Sequence, residues 1–321
     1  MIAPSIGSKV SPTERRRLGT TALTVSRLGV GGGSSFVRSE GPDLLDACWE
    51  AGLRYFDTAP LYGGGESERR FGASLAKRNR DDYVLSTKVG RNAPAEFDYS
   101  ASGVTGSIER SLTRLGLARV DIVYVHDVDP DLHGDVFERR FEEAASGAFP
   151  ALAKLRAAGT IGAIGVGLKD WDVALRLAQA VRLDCIMLAG GYTLLQHGGL
   201  HELLPWCEAN EVSVIVAAPY NTGILATGPV EGARYYYEPA SPEILARTRE
   251  LQKACERHDV PLAAAALQFP LHHPSVVSVV VGHERASEVK RNVDLLEHPV
   301  PVALWRELKD RSLIPREAPT P

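Results

Sequence analysis

Several classes of function are disfavoured by what this sequence lacks. The four cysteines, Cys48, Cys185, Cys207 and Cys255, are scattered over 321 residues with no C-x-x-C pair. Neither a zinc site nor a disulfide framework is signalled, and the thiols are expected to be reduced, as in a cytoplasmic protein. No apolar run approaches the roughly 20 residues that cross a bilayer, and residues 1–12 are too polar for the core of a signal peptide. With 36 Lys and Arg against 40 Asp and Glu, the formal net charge of -4 offers no basic field for nucleic acid. The glycines Gly31, Gly32 and Gly33 are contiguous rather than spaced as G-x-G-x-x-G, and no helical pattern opens directly on them. This argues against a doubly wound dinucleotide-binding sheet. The expectation is a soluble, cytoplasmic protein that acts on a small molecule, without nucleic acid, membrane or metal as partner. No pattern points to an oligomeric state.

What is present is a regular alternation. Short apolar, β-rich runs begin at Leu28, Arg54, Tyr83, Val120, Ala163, Cys185, Val212 and Val276. Between them lie segments of helical period at residues 42–51, 66–77, 104–115, 137–158, 171–181, 200–209, 242–258 and 261–272, and another follows at 286–296. The helical stretch 137–158 is interrupted near Gly147 and Pro150. Eight strands whose two faces both need cover predict a closed parallel (β/α)8 barrel. A hairpin over residues 17–26, turning at Gly19, precedes it, and a last helix at 302–313 follows. The expected division is a flexible tail over 1–16, one barrel domain over 17–314 and a loose end over 315–321. An open doubly wound sheet is the alternative architecture.

Three of the apolar runs end in an ionisable residue: Asp57, Lys88 and His126. In a parallel barrel the C-terminal ends of all strands meet at one rim, so these groups converge. An aspartate at the end of an apolar strand is costly unless paired, and Lys88 is the cation at hand. Tyr62 lies just beyond the Pro60 turn and leans over the same mouth. A lysine ammonium beside the phenol favours phenolate, with Asp57 holding the lysine charged. The quartet suits proton transfer to or from an oxygen near neutral pH. Singly, each residue has a plain structural reading as packing, helix cap or satisfied core group; jointly they are harder to explain that way. A metal-dependent barrel hydrolase would need several His or carboxylate ligands at the rim, which here holds Asp57 and His126 with Lys88 between them.

In order, spacing and context, Phe56-Asp-Thr-Ala-Pro-Leu-Tyr62 with Gly63-Gly-Gly-Glu-Ser67, Ser86-Thr-Lys88 and Val123-Tyr-Val-His126 resemble the aldo-keto reductase superfamily. The likeness runs from Arg17 to about Asn292. It implies a TIM barrel that binds a nicotinamide cofactor without a Rossmann fold. It also implies Tyr62 as acid/base, tuned by Lys88 and Asp57, with His126 orienting the substrate oxygen. His126-Asp-Val-Asp-Pro130 with His133-Gly134, and Val89-Gly-Arg91 leading to Phe97-Asp-Tyr-Ser100, are similar to the branch of aldose 1-dehydrogenases, L-galactose and L-fucose dehydrogenases and pyridoxal 4-dehydrogenase. Oxidation of an aldose such as L-fucose, L-galactose or D-arabinose at C1 to a lactone is the implied reaction. The alternatives are pyridoxal oxidation, a general NADPH-dependent aldehyde or ketone reductase, and a non-catalytic cofactor sensor like the potassium-channel β-subunits.

The resemblance places the cofactor pyrophosphate under Tyr220-Asn-Thr-Gly-Ile-Leu225, with Tyr220, Asn221, Thr222, Gly223 and Leu225 as contacts. It places the adenosine end on residues 282–292, with Gly282, Glu288 and Asn292 in contact. Arg285 and Arg291 would suit a 2'-phosphate, but Glu288 would repel it and accept from a ribose diol. NAD is therefore expected, with NADP possible. Relatives hold the nicotinamide carboxamide with Ser-Asn after strand five and Gln after strand six. Here those regions read Gly165-Val-Gly-Leu-Lys-Asp170 and Met187-Leu-Ala-Gly-Gly-Tyr192, so Gly167 backbone, Lys169 or Tyr192 must substitute.

Overall fold

The computed structural model describes residues 9–39 and 43–321. Eight parallel strands, Leu28–Gly31, Tyr55–Asp57, Val84–Val89, Val120–His126, Ile161–Leu168, Cys185–Ala189, Ser213–Ala217 and Val276–Gly282, form a closed barrel. The seam closes between the eighth strand and the first, with Val279 opposite Leu28 and Gly282 opposite Gly31. Among the described residues no helix is long and apolar enough to cross a membrane.

The two-residue period of a strand sorts the side chains into two apolar layers. Tyr55, Val84, Ile122, Tyr124, Ala163, Cys185, Met187 and Ile215 pack inside the barrel, whereas Phe56, Leu85, Val123 and Val125 pack outward with the helices. Counting on by twos from Tyr55, Val84 and Tyr124 leads to Asp57, Lys88 and His126. Inward parity, not proximity in sequence, brings these three to one mouth.

The hairpin is present as Arg15–Arg17 paired antiparallel with Thr24–Ser26. Leu18 and Val25 are fully buried and join the inner layer, so the hairpin plugs the end of the barrel away from the mouth. Part of the flexible tail expected over residues 1–16 is corrected here. Val10 is buried and donates its backbone N–H to Leu296 O at 3.2 Å, and the first hairpin strand starts at Arg15. Burial of the apolar valine offsets part of the cost of ordering this segment. Residues 1–8 lie outside the described residues. At the other end Ala318 is buried, within the segment expected to be loose.

Arg27, next to the hairpin, is buried and spans the seam. Its guanidinium donates to the carbonyls of Leu271, Val276 and Val277 at 2.6, 2.8 and 3.2 Å. Burial first, and then Arg16, lower its pKa to about 10.

The helices fall where periodicity puts them, with two informative differences. The interruption near Gly147 is a π turn, Ala144–Ala148, between the helices Phe137–Glu143 and Phe149–Ala157. A side chain at Gly147 would stand 2.8 Å from Tyr99 O, which explains the glycine. A short helix, Ser34–Arg38, does open directly after Gly33, against the sequence expectation. Five residues are too few to show a helical period. Two hairpins at the mouth, Arg91–Ala93 with Glu96–Phe97 and Arg234–Tyr235 with Glu238–Pro239, were also not visible as strands.

Gly72 marks a tight helix contact. A β-carbon there would press well inside van der Waals distance of the Leu115 carbonyl, which ends the helix Ala101–Leu115. Gly72→Ala is therefore expected to destabilise by about 1–3 kcal/mol, because backbone cannot yield as a side-chain tip can. Chemical denaturation of the two proteins measures this; an unchanged midpoint would refute the close contact.

Candidate active site

The second barrel strand ends at Asp57, and the chain turns at once. Thr58 donates its N–H to Ser86 O, its hydroxyl pairs with that of Ser67, and Tyr62 closes a turn onto Ala59 O. Ser67, in the first turn of the helix Glu66–Leu75, donates back to Tyr62 O. The phenol is thus fixed at both ends of its loop over the barrel mouth.

Asp57 and Lys88 meet as a buried ion pair, with Nζ 2.6 Å from Oδ2; the residues are 3% and 1% exposed. Lys88 also donates to Thr58 O at 3.0 Å, and Ser86 donates its hydroxyl to the other Asp57 oxygen at 2.7 Å. Burial pulls the Lys88 pKa down, but Asp57 and Tyr62 outweigh it and the net shift is upward. The ammonium stays charged, 4.7 Å from the Tyr62 ring centre. The effect on the phenol differs from the expectation that Lys88 brings it near neutrality. Desolvation exceeds the pull of Lys88, and the Tyr62 pKa rises to about 12. His126 stands edge-on to Tyr62, with ring centres 6.1 Å apart at 88°. Burial lowers its pKa to about 4, so at neutral pH it is an uncharged imidazole that can donate from one nitrogen.

Together these side chains line a cavity of about 570 Å³ to which every barrel strand contributes, from Gly31 of the first to Gly282 of the eighth. It continues into a second space of about 370 Å³, and the two share Ser35, Tyr220, Gly223, Val281 and Gly282. The combined cleft reaches from the Tyr62 mouth to Glu288, Arg291 and Asn292. Gly33 and Gly223 border open space where any side chain would intrude, and a β-carbon at Gly282 would come 3.3 Å from Ser35 Cβ.

Most residues expected to hold the cofactor border this cleft: Gly167, Tyr220, Thr222 and Gly223 the first part, Gly282, Glu288 and Asn292 the second. Asn292 also accepts a hydrogen bond from the Tyr220 hydroxyl at 2.6 Å, and Glu288 accepts from Glu284 N at 2.8 Å. Asn221 and Leu225 are corrected. Asn221 is buried, accepts from the Thr193 hydroxyl at 2.6 Å and donates to Gly190 O; it shapes the loop from beneath. Leu225 is fully buried in the outer apolar layer. The loop has left-handed backbone at Ala218, Asn221 and Thr222, with φ of 51°, 46° and 62°, which a packed Asn221 helps to hold. Of the candidates for the carboxamide, Lys169 instead pairs with Asp131 at 2.5 Å, and Tyr192 packs against Phe269 and His273. Neither borders the cavity.

Ser34, Ser35 and Arg38, from the loop after the first strand, and Arg234 and Tyr237, from the long insertion after the seventh, also line the mouth, in loops that the sequence places at the pocket; Asp127, which lines it too, was given no role. Arg38 reaches Glu284 at 2.6 Å, joining the loops after the first and eighth strands. Asp127 was the findable one, since it adjoins His126 at the same strand end. Behind it, Tyr99 donates to His126 O at 2.9 Å, and Asp129 accepts from Lys169 N and Asp170 N at 3.0 and 2.9 Å. Burial raises the Asp129 carboxyl to about 6.

The comparison with known proteins agrees with this geometry. Residues 18–310 match the model of the Aldo/keto reductase family. The chain is similar to D-threo-aldose 1-dehydrogenase of Pseudomonas sp (39% identical, covering 85% of this chain and 88% of that protein). It is likewise similar to pyridoxal 4-dehydrogenase of Microbacterium luteolum (36%, covering 94% and 98%). Among solved structures, the holo form of an aldo-keto reductase from Bacillus halodurans superposes with a TM-score of 0.76 at 27% identity, covering 94% and 96% of the two chains. A closed eight-stranded barrel, a two-part cleft at its mouth and a family match over nearly the whole chain identify an oxidoreductase that uses a nicotinamide cofactor, and the chain belongs to the aldo/keto reductase family.

Proposed function

We propose that this protein oxidises a small aldose at C1, with NAD as hydride acceptor and Tyr62 as the proton acceptor. The observation that carries the reading is the buried Lys88–Asp57 pair set against Tyr62, with neutral His126 opposite, at the barrel mouth. A nicotinamide cofactor held along Gly167, Tyr220, Thr222, Gly223 and Gly282 would supply the hydride acceptor for C1 of the cyclic hemiacetal. Tyr62 takes the proton of the C1 hydroxyl, His126 donates a hydrogen bond that orients that oxygen, and the product is a lactone. The ammonium of Lys88 stabilises the phenolate that must form before the proton is taken. The resemblance to an enzyme named for aldose 1-oxidation supports this substrate class. The likeness to pyridoxal 4-dehydrogenase covers more of the chain and supports pyridoxal as a second candidate.

An activity panel with NAD tests the reading. L-fucose, L-galactose or D-arabinose is expected to reduce NAD, with lactone as product by mass spectrometry. Turnover of pyridoxal alone would move the assignment to the second candidate, and turnover of neither would refute both.

For the cofactor, Glu288 borders the adenosine end of the cleft together with Arg291 and with Glu284, whose charge is already matched by Arg38. Carboxylates accept from a ribose diol and repel a phosphate. NAD is expected to bind roughly tenfold or more tightly than NADP, as like-charge contacts penalise the wrong partner. Fluorescence-quenching titrations give both constants, and a tighter grip on NADP would overturn the role given to Glu288.

A further inference from the structure

One charged group in the mouth has no part in the chemistry above. Asp127 follows His126 at the end of the fourth strand and lines the cavity. Its backbone is left-handed, with φ of 57°, a conformation uncommon outside glycine that aspartate adopts more readily than most residues. Its surroundings hold it there. Asp127 N donates to Gly167 O at 2.8 Å, and its carbonyl oxygen is within 3.0 Å of both the Tyr99 hydroxyl and His133 Nε2. The turn keeps the carboxylate beside the histidine instead of letting it follow the strand outward.

The carboxylate is then held from one side. Arg91 Nη1 donates to Oδ2 at 2.6 Å, while Arg91 Nη2 is engaged by Pro94 O at 3.0 Å, anchoring the guanidinium on its hairpin. Among the described residues, Arg91 is the hydrogen-bonding cation on this group and it engages one oxygen. His126 Nε2 lies 3.4 Å from Oδ2, longer than a strong charge-assisted hydrogen bond. Burial would raise the carboxyl, but His126 and Arg91 hold it below the ordinary range, so it is an acceptor with spare capacity.

We propose that Asp127 is a specificity-determining residue that accepts a hydrogen bond from the hydroxyl on the carbon adjacent to the one losing hydride. This deepens the aldose reading and rests on it. Oδ2 keeps a lone pair beside the one that Arg91 engages, and its 3.4 Å from Nε2 is close to the separation of oxygens on neighbouring carbons. A vicinal diol therefore spans the pair, its reacting oxygen on His126 and its neighbour on Asp127. The two groups do not compete for a proton. An ionised carboxylate only accepts, so the neighbouring hydroxyl gives it a hydrogen bond, while the reacting hydroxyl surrenders its proton to Tyr62. A site that commits a buried charge to one hydroxyl rejects the analogue lacking it, because the charge is then left without that partner.

The test compares L-fucose with 2-deoxy-L-fucose in steady state with NAD, in the parent protein and in Asp127→Asn. The parent is expected to lose roughly 10- to 100-fold in kcat/KM on the deoxy sugar, the range for one hydrogen bond to a charged group. Asp127→Asn is expected to lose a similar factor on L-fucose, mainly through KM, and to distinguish the two sugars by less than about threefold. If the parent shows no penalty for the deoxy sugar, the proposal fails whether or not the variant folds. An equal fall in kcat on both sugars in Asp127→Asn would make Asp127 a positioning residue for His126 alone, and would also overturn it. A parent inactive on every aldose removes the underlying reading and the hydroxyl grip with it, a result distinct from the other two.

Discussion

Tyr62→Phe is expected to lower kcat by roughly a thousandfold or more while leaving NAD affinity nearly unchanged, since proton transfer by a positioned group contributes factors of this order. The phenyl ring keeps the edge-on contact with His126 at 6.1 Å and the ammonium of Lys88 near its face. What is lost is the oxygen that takes the substrate proton. The parent protein carries a second signature. With the phenol at about 12, its basic form grows as pH rises, so oxidation should accelerate toward alkaline pH with a slope of about one per pH unit. The variant's residual rate should lack that dependence. Steady-state kinetics across pH, with fluorescence quenching for NAD, check both points. Turnover within about tenfold of the parent would remove Tyr62 from the chemistry.

Lys88→Met is expected to have the next largest effect, and to act on stability as well as rate. The substitution keeps the length of the side chain and leaves Asp57 buried without its cation. Breaking a buried pair by removing one partner typically costs about 3–5 kcal/mol, because the remaining charge is uncompensated. Ser86 still donates to Asp57 at 2.7 Å, which places the cost toward the lower end of that range. The phenolate of Tyr62 would also lose its stabilising charge, and kcat should fall by about 100-fold or more. The double variant Asp57→Asn with Lys88→Met separates the two effects. It should recover much of the lost stability, since no charge is left stranded, yet remain as inactive as the single variant. Denaturation midpoints and kcat for the three proteins provide the measurement. A single variant as stable as its parent would show that the pair contributes little to the fold.

The barrel and the convergence of Asp57, Lys88 and His126 were legible because strand parity is a simple count and the strands are predominantly apolar. Tyr62 was legible through its motif. The net effect of Lys88 on Tyr62 was not, because spacing reveals a charge nearby but not how much water is removed around the phenol. Asn221 and Leu225 show a related limit. A motif locates a loop at the cleft but does not say which of its side chains face inward, and here the left-handed turns at 218, 221 and 222 direct Asn221 underneath. The short helix Ser34–Arg38 and the two mouth hairpins escaped notice because elements of two to five residues are too short to carry a period. Asp127 was quoted as part of a sequence signature but given no role, and its function in the mouth depends on a backbone turn that no pattern announces.

The seam at Arg27 bears on how the chain reaches this state. The first barrel strand must wait for the eighth, and Arg27 for acceptors as much as 250 residues later in the chain. Contacts of such separation form slowly, because a long loop must be closed before any of them is gained. Until then the sheet has two open edges, Leu28–Gly31 and Val276–Gly282, either of which can pair with another copy. The guanidinium, lacking its three carbonyls, keeps one of those edges hydrated and charged. Closing the barrel therefore buries Arg27 and supplies its three carbonyl acceptors in the same step.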